Sequence, residues 1–188
     1  TDIGGFFGAN INDPEFHELL VRWFEYGCFC PVMRLHGYRW PLQPQYGTTG
    51  GATCVSGAPN EVWSYTDQVC EILSDYLRLR ERMLPYITEL MEEAHEKGTP
   101  VMRPLFYDFP EDKESWNVET EYMFGPKVLV KPITDADARE TDVYLPGGAS
   151  WTNAWTGETF EGGQKVHVAA PIEQIPLFTR DGYKLPMK

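Results

Sequence analysis

The feature that most limits what this chain can fold into is a change of periodicity near residue 98. Before it, apolar residues recur at helical spacing; after it, short extended segments alternate with Gly- and Pro-rich turns. In the first part, Phe16, Leu19, Leu20, Trp23 and Phe24 line one helical face. Asn12-Asp13-Pro14-Glu15 opens that helix with a polar cap, a proline whose missing N–H is not needed there, and an acid in the first turn. Gly27 is expected to end it as a C′ residue, giving a helix over about 14–26. Residues 28–35 are a short, almost continuous apolar run, which predicts a strand buried on both faces, as in a parallel sheet or barrel. The run ends abruptly in Arg34-Leu35-His36-Gly37.

Residues 41–60 are rich in Pro, Gly and Thr and read as a long irregular loop, a kind uncommon unless it serves function. From Glu61, taken as a first-turn acid, to Lys97 the pattern is helical. Val69, Ile72, Leu73, Tyr76 and Leu77 form one face, and Leu84, Ile87, Leu90, Met91 and Ala94 continue it. Pro85 should split the segment, and Gly98 should close it. Beyond, 101–106, 128–132, 141–145, 166–168 and 175–179 read as strands of an antiparallel sandwich or barrel. The expected architecture is therefore α/β followed by all-β, with units at 1–100 and 101–188.

Charge and cysteine content narrow the function classes. Sixteen Lys and Arg against 28 Asp and Glu give a net charge of −12, which repels nucleic-acid backbones and anionic lipid. No apolar run approaches the roughly 20 residues of a spanning helix. Cys28 and Cys30 are separated by one residue, too close for a zinc ribbon, and read as small buried hydrophobes in a reducing, cytoplasmic setting. His17, His95 and His167 have no partner spacing for a metal, and Glu89, Glu92, Glu93 and Glu96 read as a solvated helix face.

Two places carry candidate chemistry. Asp2-Ile3-Gly4-Gly5-Phe6 places a carboxylate at a tight bend where backbone can approach a ligand, although taken alone it reads more simply as a plain turn. Arg34-Leu35-His36-Gly37 places polar groups at a strand end, where β/α barrels carry their sites; a structural histidine is the competing reading. Strand end, helix, strand, strand end make a βαβ unit with polar groups at both C-terminal mouths. Aromatic Trp151, Trp155 and Phe160 invite a carbohydrate-binding reading of the β-domain, against which stands simple core packing.

Five motifs then follow one another in order: Thr1-Asp2-Ile3-Gly4-Gly5-Phe6; Arg22-Trp23-Phe24; Pro31-Val32-Met33-Arg34-Leu35-His36-Gly37; Arg80-Glu81-Arg82-Met83-Leu84-Pro85-Tyr86-Ile87; and Pro100-Val101-Met102-Arg103-Pro104-Leu105. Together with Tyr122-Met123-Phe124-Gly125-Pro126 and Tyr144-Leu145-Pro146-Gly147, they resemble glycoside hydrolase family 31, whose members include retaining α-glucosidases and α-xylosidases. The resemblance covers essentially the whole chain.

It implies the last βα units of a TIM (β/α)8 barrel and the small β-sandwich after it. Asp2 would end the seventh barrel strand and His36 the eighth. Both would hydrogen-bond sugar hydroxyls in the −1 subsite, with Phe6 as its wall. Arg34 stands in the same motif, either facing the sugar or as a structural ion pair beneath the site. The family's nucleophile and acid/base motifs are not matched in this sequence, so no catalytic carboxylate is assigned here; both are expected upstream, in the remainder of a larger enzyme. Two strands cannot close an eight-stranded barrel, so the barrel piece is expected to need covering by that remainder or by a second copy. The implied partners are an α-linked oligosaccharide or glycoside and the upstream part of the enzyme, with no metal or organic cofactor. The competing function is a non-catalytic carbohydrate-binding or accessory domain.

Overall fold

The computed structural model describes residues 2–187; Thr1, which opens the first motif, and Lys188 lie outside them. Strand β1 (Asp2–Ile3) leads by way of a turn to helix α1 (Pro14–Cys28). Asp13 caps the helix by accepting from the Glu15 amide at 3.0 Å. Gly27 does not end it. A Cβ at Gly27 would lie 2.5 Å from Ile3 Cδ1, so this glycine sets how closely α1 approaches β1.

The strand expected over 28–35 shrinks to β2 (Arg34–Leu35). Cys28 closes α1, and 29–33 form a turn. The carbonyls of that turn find side-chain donors instead of a sheet ladder. Arg80 donates to Cys28 and Cys30 at 2.7 Å each and to Pro31 at 2.9 Å, and the Tyr122 hydroxyl donates to Phe29 at 3.1 Å. Cys28 and Phe29 are buried in the core that α1 shares with the later helices and the sheet, Phe29 against Phe124, and Cys30 is buried too.

Within 41–60, β3 (Arg39–Gln43) and β4 (Ser56–Ala58) pair antiparallel, so the expected loop is an irregular hairpin. Glu61 does not begin a helix: its carboxylate accepts from Ser64 Oγ at 3.0 Å across one short 3-10 turn. Helix α2 (Asp67–Arg82) starts where Thr66 Oγ1 accepts from the Val69 amide. Pro85 sits in the first turn of α3 (Leu84–Lys97), which Gly98 closes in the left-handed region. Val69, Ile72, Leu73, Tyr76, Ile87 and Leu90 are buried as expected, but Leu77, Leu84 and Met91 are 43, 50 and 44% exposed. The apolar stripe is wider than the surface that the described residues lay against it.

The strand expected over 101–106 is broken by Pro104, which cannot donate to a ladder, into β5 (Met102–Arg103) and a single helical turn, α4 (Leu105–Asp108). There follow β6 (Tyr122–Phe124), β7 (Val128–Val130), β8 (Glu140–Leu145), β9 (Ser150–Asn153), β10 (Thr159–Glu161), β11 (Gln164–Ala169) and β12 (Leu177–Arg180). Six form an antiparallel sheet in the order β10-β9-β12-β7-β6-β5, and β11 and β8 form a separate ribbon.

Successive side chains of a strand point to opposite faces, and this sheet uses both. Met123, Leu129, Trp151 and Phe178 join Val143, Leu145 and Val166 of the ribbon in one core. Their neighbours Phe124, Val128, Val130 and Leu177 pack with Tyr76, Leu79, Met83, Tyr86 and Ile87 in the other. Trp151 is fully buried with its indole N–H on the Pro146 carbonyl at 2.9 Å, and Trp155 donates to Ile175 at 2.7 Å. Phe160 packs on Phe178. Trp151 is thus core, while Trp155 and Phe160 are half-buried at the core's edge.

The helical and β parts are joined by a buried polar cluster. Arg22 donates to the carbonyls of Ala138, Ala170 and Pro171 at 2.7–3.1 Å and pairs with Glu25 at 3.1 Å. The Tyr76 hydroxyl meets Glu25 Oε1 at 3.0 Å and accepts from the Ile175 amide at 3.0 Å. Burial pushes the Glu25 carboxyl up to about 8, against the pull of Arg22. A raised carboxyl pKa means that the folded state binds the proton more tightly than the unfolded one. This contribution to stability is therefore fully present below about 4.5 and is lost as pH rises through about 8. Thermal unfolding followed from pH 5 to pH 8.5 should show stability falling across this window, with the slope reduced in Glu25→Gln, which keeps the hydrogen-bonding shape without the charge.

Candidate functional site

The site assembles where β1 and β2 end side by side. They pair in parallel, with Asp2 opposite Arg34 and Ile3 opposite Leu35. Ile3 is fully buried against α1, which fixes the register and turns the alternate residue, Asp2, to the other face. Arg34 Nη2 donates to Asp2 Oδ1 at 2.7 Å, with the Arg34 and Asp2 side chains 57 and 35% exposed. That hydrogen bond holds the Asp2 carboxyl below its ordinary range; partial burial opposes it, and the charges of Arg34 and His36 add to it. Asp2 is thus an ionised acceptor at neutral pH. Arg34 is its ion-pair partner, and both side chains are partly exposed.

Phe6 and His36 meet with ring centroids 5.4 Å apart and planes tilted by 40°. Phe6 is half exposed. The structure therefore brings all four sequence-selected residues, Asp2, Phe6, Arg34 and His36, to one mouth. The arrangement places an anionic acceptor, an imidazole and an aromatic face near one another at the ends of β1 and β2, groups that suit a polyhydroxylated ligand with an apolar C–H face. Among the described residues, no cluster of His, Cys, Asp and Glu is arranged to hold a metal ion.

Three residues that position this mouth were not legible as such. Arg39 is fully buried beneath it. Its guanidinium donates to the carbonyls of Gly5 (2.9 Å), Tyr38 (3.1 Å), His36 (3.1 Å) and Ile3 (3.3 Å), and stacks over Phe16 with 5.2 Å to the centroid. One side chain thus ties the turn after β1 to the turn after β2. Gly37 lets the two turns meet: its φ is 96°, and a Cβ there would lie 2.3 Å from the Gly5 carbonyl oxygen. Asn60 donates to the Gly37 carbonyl at 3.1 Å and accepts from the Tyr65 hydroxyl, which fastens the same loop from the approach to α2. The only sequence signal for Arg39 is a charge between two aromatics just after a glycine turn, which gives no hint of burial.

Replacing Arg39 by Met should leave several buried carbonyls without donors and lower stability by about 3 kcal/mol or more in urea unfolding. Arg39→Lys should recover part of the loss, since one ammonium cannot span both turns as the guanidinium does.

Residues 1–90 match the family model of the glycosyl hydrolases family 31 TIM-barrel domain, and 98–185 match that of the glycosyl hydrolase family 31 C-terminal domain. The chain is 37% identical over 187 residues to an α-xylosidase of Saccharolobus solfataricus, covering all of this chain and 23% of that protein. It is 36% identical over 182 residues to α-glucosidase 2 of Bacillus thermoamyloliquefaciens, covering 96% of this chain and 20% of that protein. The chain thus spans about a quarter or less of these curated relatives. Among solved structures, a family 31 α-xylosidase from a soil metagenome, complexed with xylose, superposes with a TM-score of 0.93 at 48% identity, over 98% of this chain and 28% of that one. Two family models in sequence order and relatives aligned along the full chain place it in glycoside hydrolase family 31.

Proposed function

We propose that this chain supplies one wall of the −1 subsite of a retaining α-glycosidase acting on α-linked glucosides or xylosides. The observation that carries this reading is the convergence of Asp2, His36 and Phe6 at the ends of two adjacent parallel strands. Asp2, held ionised by Arg34, accepts hydrogen bonds from sugar hydroxyls. His36 completes the polar contact, and Phe6 packs on the C–H face. Arg34 acts on the sugar through Asp2, as a positioning residue. A sugar gripped this way is oriented for attack, and such orientation is worth several kcal/mol of barrier.

Bond cleavage with retention needs two more carboxylates, roughly 5–5.5 Å apart on either side of the glycosidic bond. In this reading they come from outside the 188 residues, on other strands of the same barrel. A hollow of about 1420 Å³ beside α1, lined by Leu19, Trp23 and Tyr26, supports the idea that further parts of the enzyme pack on this helix. The six-stranded sheet and its ribbon are then the two layers of a small sandwich, a support joined to the barrel end by the Arg22–Glu25–Tyr76 cluster. The accessory-domain reading has less support, because Trp151 is fully buried and Trp155 and Phe160 are half-buried against the core.

The test is turnover of p-nitrophenyl α-glucoside and α-xyloside. The isolated chain should show none, and the full-length parent enzyme should hydrolyse at least one. In the parent, Asp2→Asn or His36→Ala should lower kcat/KM about 10- to 100-fold, the range of one lost hydrogen bond involving a charged group. Robust turnover by the isolated chain that disappears in Asp2→Asn would mean that Asp2 is itself catalytic, and would overturn the assignment.

A further inference from the structure

Beyond the cluster around His36, the mouth carries aromatic rings that the −1 subsite does not use. Phe7, Tyr38 and Trp40 are 75, 37 and 44% exposed. They continue the contacts of Phe6 in an unbroken series. Phe6 meets Phe7 with centroids 4.9 Å apart, Phe7 meets Tyr38 at 6.1 Å, and Tyr38 meets Trp40 at 6.3 Å, all edge to face. The series starts at the ring that touches His36 and runs outward along the rim.

The rings are held by main chain. Past β1 and β2 the two segments stay together: the Tyr38 amide donates to the Phe6 carbonyl at 3.3 Å, the Trp40 amide to Ala9 at 2.9 Å, and the Ile11 amide to the Trp40 carbonyl at 3.0 Å. The Trp40 indole lies directly on Gly8, where a Cβ would fall 2.3 Å from Nε1. These rings lie on the segments that follow β1 and β2, the strand ends at which β/α barrels carry their sites. They suit a ligand that presents flat C–H faces in succession, since little freedom is lost when it stacks on them.

The geometry points to Phe7, Tyr38 and Trp40 as the binding platform for the leaving-group side of the substrate, the sugar or sugars beyond the bond that is cut. This inference rests on the −1 assignment above and deepens it. The −1 sugar is gripped by polar groups that read its hydroxyls. The rim recognises the next residues by shape and apolar face, and so sets a preference for oligosaccharides over glycosides with a small aglycone.

The experiment compares two substrates of the full-length parent enzyme. One is an α-linked xylosyl-glucose or glucosyl-glucose disaccharide. The other is the corresponding α-glycosyl fluoride, whose leaving group is one atom and cannot reach the rim. In Trp40→Ala the ratio of kcat/KM on disaccharide to that on fluoride should fall about tenfold, as for one lost aromatic contact, and mainly through KM. Trp40→Phe should restore much of it. Because Trp40 also packs on Gly8, Phe7→Ser serves as a second variant at a ring with little packing to lose, and the ratio should fall there too. An equal fall on both substrates, or no change in either variant, would overturn the inference; the rings would then serve packing. A wild-type parent that hydrolyses neither substrate would overturn the α-glycosidase reading itself, and the platform with it. An active parent with an unchanged ratio would sink the platform alone.

Discussion

Where two strands end side by side, their last carbonyls point into a region that no longer has a ladder to receive them. In this chain the buried guanidinium of Arg39 meets that need for both strands at once, at Gly5, Ile3, His36 and Tyr38. Guanidinium presents several donors in a fixed plane, so it sets the distance and orientation of the groups it binds. Without it, the turns carrying Phe6 and His36 would be joined only by the short β1–β2 pair and a few loop contacts. The mouth, its ion pair and the aromatic rim depend on this one buried charge, which is stacked on Phe16 and hidden from solvent.

A second constraint works at longer range. The six-stranded sheet uses both faces, one against the helices and one against the β8–β11 ribbon. The helices therefore cannot shift without disturbing the sheet. Arg22, Glu25 and Tyr76 add direction to that contact, because a buried charge must meet its partners in one geometry or be left unsatisfied. The carbonyls they hold, at 138, 170 and 171, belong to the loops flanking the ribbon. So the β part acts as a rigid back-plate for α1 and α2, which in turn carry Ile3 and the start of β1. This is a chain of packing from the sheet to Asp2.

The sequence's strongest signals were those of local chemistry. Asp13-Pro14 started α1, Pro85 divided the long helix, Gly98 closed it, and the strands after 120 lay between their glycine and proline turns, because each depends on residues a few positions apart. The ordered motifs also placed Asp2, Phe6, Arg34 and His36 together, and the parallel pairing brings them to one mouth. The misread segments share one cause. Residues 28–35 are apolar like a buried strand, and Gly27 looks like a helix stop. Both impressions arise from tight packing: Gly27 against Ile3, and Cys28 to Cys30 under Arg80. Hydrophobicity reports burial without saying what secondary structure is being buried. The same blindness hid the hairpin within 41–60, whose pairing joins residues far apart in an irregular stretch.

By itself, then, the sequence determined the change from helical to extended structure, the family, and the four residues at the mouth. Those are carried by short-range periodicity and by ordered motifs, which survive without coordinates. Only the tertiary structure decided that Arg34 is the ion-pair partner of Asp2, that Arg39 is the buried clamp, that Trp151 is core, and that Phe7, Tyr38 and Trp40 form a continuous series. Each of these is a matter of which side of the backbone a group faces and what it meets there. That is settled by contacts between segments distant along the chain, where the energy of burying or pairing a group depends on its neighbours in space.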